Sequence, residues 1–60
     1  MMNKKYRFIV FAKGRDSSNL QIMDIYNIQE NLTESQLNDK INWYWNSGFS
    51  TMCDYKAEEM

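Results

Sequence analysis

From residue 5 to residue 13 the chain alternates in a way that leaves neither side polar. Tyr6, Phe8, Val10 and Ala12 fall on one side of an extended backbone, and Arg7, Ile9, Phe11 and Lys13 on the other. Both sides are apolar at the centre, which is the mark of a strand covered on two faces. Its aromatic and β-branched residues suit a pleated surface. Residues 14–19 (GRDSSN) then form a polar turn: Gly14 permits positive φ, and Asp16, Ser17, Ser18 and Asn19 make local side-chain turns. A second strand is predicted over residues 20–28, with Leu20, Ile22, Asp24, Tyr26 and Ile28 on one face and Gln21, Met23, Ile25, Asn27 and Gln29 on the other. The turn is too long for a two-residue hairpin, so it leaves the register of this strand open.

The helix has the best-marked start. Thr33 followed by Gln36 has capping-box spacing, and Leu32 and Leu37 flank it as a hydrophobic staple. Glu34 in the first turn suits the helix dipole. Leu37, Ile41, Tyr44, Trp45 and Gly48 then follow one helical face, and Gly48 is a natural stop. The predicted helix covers residues 33–47. A last strand is predicted over residues 49–56, with Phe49, Thr51, Cys53 and Tyr55 on one face and Ser50, Met52, Asp54 and Lys56 on the other. Residues 57–60 are expected to fray.

The element order ββαβ defines an α+β fold. The helix carries the chain back, so the third strand runs parallel to the second and antiparallel to the first. The right-handed crossover then gives a three-stranded sheet of order 2-1-3 with one helix on one face. The richer strand faces are expected to pack on the helix. Asp24 fits that face only if it lies beyond the helix footprint or if a bulge shifts the register. The opposite face keeps an apolar centre of Ile9, Phe11, Met23, Ile25 and Met52 inside a polar rim, the anatomy of a protein–protein interface. These five residues are the candidate dimer interface. The competing reading is that scattered exposed apolar side chains are ordinary. Trp43 falls on the polar side of the helix among Gln36, Lys40 and Ser47. Either it leans onto the sheet edge, or it is a binding anchor with Lys40 and Ser47 beside it. If the helix forms the dimer instead, the face with Phe11, Met23 and Ile25 becomes the partner site.

Size gives these leftover surfaces their weight. Sixty residues make one domain, residues 1–60. A chain this short buries only about 60% of the surface its unfolded form exposes. One Cys cannot make an internal disulfide, and without His a zinc site has almost no ligands. Oligomerisation is the remaining route to extra stability. With 43% hydrophobic and 15% aromatic residues the chain is too aromatic to be disordered.

Catalysis finds little to work with. Cys53 lies on a core face, the carboxylates are scattered, and Gly14 and Gly48 stand alone rather than in a phosphate loop. The expectation is a non-enzyme without cofactor or metal. The longest apolar run, residues 8–12, is far short of a membrane span. No signal-peptide pattern is present, so a cytoplasmic location is expected. Seven Asn, five each of Met, Lys and Ile, and four Tyr imply AT-rich codons. Small, cofactor-free chains of this flavour resemble, by size and composition alone, phage and mobile-element accessory proteins that block a host protein or defence system. The expected function is therefore stoichiometric binding by a homodimer to a larger host protein. The alternative is a small nucleic-acid-binding regulator that uses Lys4, Lys5, Arg7, Lys13 and Arg15 at the two ends of the first strand. A net charge of -1 and a pI near 5.1 count against it.

Overall fold

The computed structural model describes residues 4–60. Its main elements are β1 (Tyr6–Ala12), β2 (Ile25–Leu32), α1 (Glu34–Asn46), a single helical turn α2 (Phe49–Met52) and β3 (Cys53–Glu59). β1 is central and antiparallel to both neighbours, giving the sheet order β2-β1-β3 with α1 on one face. This is the α+β architecture that the apolar pattern predicts.

The start of α1 is fastened as the spacing implies. The Gln36 amide donates to Thr33 Oγ1 at 3.2 Å, and the Thr33 amide donates to Gln36 Oε1 at 3.0 Å. Two backbone donors at the helix end are thereby satisfied. Leu37 and Tyr44 carry the helix onto Phe8 and Val10 of β1, with Leu32 and Cys53 completing the buried cluster. Tyr6, Ile41, Phe49 and Tyr55 pack around its margin. Phe8, Val10, Cys53 and Tyr55 all belong to the faces predicted to meet the helix.

The second strand departs from expectation at its start. Residues 20–24 do not extend; Ser17–Asn19 and Ile22–Asp24 are short 3-10 turns, and β2 begins only at Ile25. Asp24 explains the change. Its Oδ2 accepts the Gln21 amide at 3.2 Å, while its own amide donates to the Gln21 carbonyl at 2.9 Å. Arg15 Nε lies 3.1 Å from Asp24 Oδ1. Local closure of this kind competes with a ladder and here replaces it. The carboxylate that fitted badly on a core-facing strand is a buried fastening of the loop.

The faces of β2 also change. Residues directly opposite in a sheet share a face. Asn27 and Gln29 stand opposite Val10 and Phe8, on the helix side, whereas Ile28 stands opposite Ile9 and Ile25 opposite Phe11, on the other. Of the residues predicted to face the helix from the second strand, Tyr26 and Ile28 are exposed. The cause is two irregularities in the β1–β2 ladder, between Val10 and Phe11 and between Tyr6 and Phe8. Each leaves an extra residue on β2, and a one-residue offset reverses inside and outside. Asn31, beside the second, has a φ of 59°, a left-handed conformation that Asn tolerates better than most residues. Beyond it Leu32, opposite Tyr6, reaches the core.

The last strand starts four residues later than predicted. Gly48 ends α1 with a φ of 88°, but the chain then makes a further helical turn. Thr51 closes that turn, donating both its amide (3.2 Å) and its hydroxyl (2.8 Å) to the Gly48 carbonyl. Met52 therefore belongs to α2 rather than to a strand face. The expected fraying of residues 57–60 is also corrected. Ala57, Glu58 and Glu59 pair with Phe8, Arg7 and Tyr6, and the Met60 amide donates to the Lys5 carbonyl at 2.8 Å.

Ile9 and Phe11 lie on the sheet face away from α1, yet each is only 5% exposed. Asp16 lies within electrostatic reach of Lys56, which stands opposite Ile9 on that same face. The loop of residues 13–24 is fastened at its end by Asp24. Asp24→Ala removes its fastening and orphans the Gln21 amide. The expected cost is about 1–3 kcal/mol, read as a lower urea midpoint, with faster amide exchange at Gln21.

Candidate interaction surfaces

The five residues of the candidate dimer interface do not form one surface. Ile9 and Phe11 are already buried within a single chain, Ile25 is half-buried opposite Phe11, Met23 stands out from the 3-10 turn, and Met52 lies exposed on α2. The sheet face away from α1 carries a line of ion pairs. Arg7 on β1 sits between Glu58 of β3 (3.0 Å) and Glu30 of β2 (3.6 Å), and Lys56 reaches Glu58 at 3.3 Å. Arg7 Nε is buried without a hydrogen bond.

Exposed apolar groups gather elsewhere, in two places. The first is the C-terminal half of α1. Trp43 and Trp45 lie on opposite flanks of buried Tyr44 and are 38% and 58% exposed. Trp43 packs against Phe49 of α2 with ring centroids 5.2 Å apart, and Lys40 Nζ lies 5.9 Å from its ring centre. It thus leans on α2 and keeps an open side. Trp45 meets Tyr44 (5.1 Å) and Tyr55 (6.1 Å) edge to face. Ser47 caps the helix, its hydroxyl donating to the Tyr44 carbonyl at 3.3 Å. Trp43, Lys40 and Ser47 are therefore neighbours at one helix end. Trp45 was assigned to the buried stripe by its spacing, but it is the more exposed of the pair. It sits 100° round the helix from Tyr44, at the margin of the stripe, where apolar spacing alone does not separate core from surface.

The second gathering is Ile22, Met23, Tyr26 and Ile28, exposed at 92, 78, 60 and 47%. These four fall within seven consecutive residues along β2 and the turn that feeds it.

Basic side chains are mostly occupied. Of Lys4, Lys5, Arg7, Lys13 and Arg15, three stand against carboxylates: Lys4 at 3.9 Å from Glu59, Arg7 as above, and Arg15 on Asp24. Cys53 is a free, buried thiol at the head of β3. Among the described residues no three His, Cys, Asp or Glu side chains are grouped to hold a metal ion, and no helix is long and apolar enough to cross a membrane. No family model, curated protein or solved structure matches the chain.

Tyr44 holds the tryptophan-bearing helix end in place. Its hydroxyl donates to the Cys53 carbonyl at 2.6 Å within the core. Burial, followed by the negative charge of Asp54, raises its pKa above the ordinary tyrosine value. A raised pKa favours the protonated form in the fold. The stabilisation is therefore complete below about pH 10, the unfolded value, and is lost as pH climbs through the higher folded one. Tyr44→Phe is expected to lower stability by about 1–2 kcal/mol at pH 7. In urea unfolding the gap between wild type and Tyr44→Phe narrows as pH rises beyond about 10.

Proposed function

We propose that this chain is a non-catalytic protein-binding module that occupies the surface of a larger protein, with Trp43 and Trp45 as its anchors. The observation that carries this reading is the pair of part-exposed tryptophans braced by aromatic neighbours. An exposed indole that already rests on another ring has little freedom left to lose on docking, so more of its contact energy appears as affinity. Tryptophan is enriched among residues that dominate binding energy. Lys40 beside Trp43 and Ser47 at the helix end add polar contacts at the rim of the same surface.

The proposed target is a host protein met in the cytoplasm, such as an enzyme of a defence system, blocked one to one. Small size and a composition suggesting AT-rich codons support that choice, as they do for accessory proteins of phages and mobile elements. The ion pairing of Lys4, Arg7 and Arg15 leaves little free positive charge for a nucleic-acid backbone, which favours protein over nucleic acid as the partner.

Affinity capture from a bacterial lysate with wild type, Trp43→Ala and Trp45→Ala tests the reading. Wild type is expected to retain a discrete protein at a fixed ratio. Each substitution is expected to weaken its retention at least about tenfold, as truncating an anchor of 2 kcal/mol or so does. Equal retention by all three forms would remove the tryptophans as anchors.

A further inference from the structure

We propose that Ile22, Met23, Tyr26 and Ile28 form a twofold interface with a second copy of this chain, leaving the tryptophan surface of each copy free. The inference goes beyond the binding reading above and does not depend on it. All four side chains are at least half exposed or close to it, and Ile22 and Met23 stand almost fully in water. Between Leu20 and Gln29 the only charged residue is Asp24, which is buried and paired with Arg15. That absence of charge selects the occupant. In a twofold interface a patch meets its own copy, so an exposed charge near the axis faces its own like charge. The other surfaces carry such charges: Asp54, Lys56, Glu58 and Glu59 on β3, and Glu34, Asp39 and Lys40 on α1.

Area is consistent with the same occupant. Four large, mostly exposed apolar side chains offer on the order of 500 Å² per protomer, and two facing copies on the order of 1,000 Å², the lower bound for a specific interface. The geometry also says how the copies meet. β2 is an edge strand, but its two irregularities leave only Asn27, Ile28 and Gln29 in unbroken register with β1. Bulged edges resist ladder extension. Contact is therefore made by side chains rather than by a continuous six-stranded sheet.

Sedimentation equilibrium of the full chain tests this, from about 1 to about 100 µM, a range that brackets weak specific association. Wild type is expected at twice 7.3 kDa at the upper end. Met23→Glu and, independently, Ile22→Lys are expected at 7.3 kDa with wild-type circular dichroism, because both side chains already project into water. Trp45→Ala is expected to stay dimeric. A wild type that remains monomeric at about 100 µM overturns the proposal. So does a dimer that survives both Met23→Glu and Ile22→Lys, or one that only Trp45→Ala dissociates. Loss of captured protein without loss of the dimer tests the tryptophan anchors alone, so the two readings fail separately.

Discussion

A central strand that is apolar on both faces has to be covered twice, and this chain has one long helix with which to do it. β1 carries Phe8 and Val10 on one side and Ile9 and Phe11 on the other, and all four are buried. α1 supplies one cover through Leu37 and Tyr44. On the other side no helix is left, yet Ile9 and Phe11 are each only 5% exposed. Closure of the turn by Asp24 is what lets the loop stay folded while a carboxylate sits in a buried place.

The same demand shapes the other end of the molecule. α1 has to finish close to the head of β3, because β3 pairs with β1 from Cys53 onward. Gly48 turns the chain in a conformation that a residue with Cβ adopts at a cost, and α2 then spends four residues placing Cys53 beneath Tyr44. The hydrogen bond from Tyr44 to the Cys53 carbonyl joins the helix end to the strand start. Trp43 and Trp45, on either side of Tyr44, inherit its fixed position. Their exposure is a by-product of covering β1 with so narrow a helix face. Only Leu37 and Tyr44 are fully buried on α1, so residues one position away from Tyr44 fall outside the footprint.

Much of this was legible in the order of residues, and the parts that were not share a physical cause. The helix start was readable because Thr33 and Gln36 satisfy each other within one turn, independent of tertiary structure. The central strand was readable because its two faces share one composition, so no register choice could alter its burial. The second strand was not, since alternation over residues 20–28 fits a strand and equally fits two turns followed by a bulged strand. The choice rests on Asp24, whose partner Arg15 lies nine residues back. Phe49, Ser50, Thr51 and Met52 alternate as well as any strand, and the hydroxyl bond from Thr51 to Gly48 decides otherwise. Residues 57–60 looked like a loose tail, but Arg7 holds Glu58 there. The candidate interface assumed Ile9 and Phe11 to be exposed; both are buried, and exposed apolar groups lie instead along β2 and the turn before it.

That placement also separates two surfaces that a single apolar sheet face would have merged. In an arrangement with Ile9 and Phe11 exposed, self-association and target binding compete for one patch. With those two buried, the apolar groups along β2 and the tryptophans of α1 belong to different elements. Two copies joined through β2 would present two tryptophan surfaces at once. A bivalent ligand gains affinity for a target that is itself repeated, without any new contact. The gain requires only that the tryptophan surface of each copy stay clear of the β2 contact.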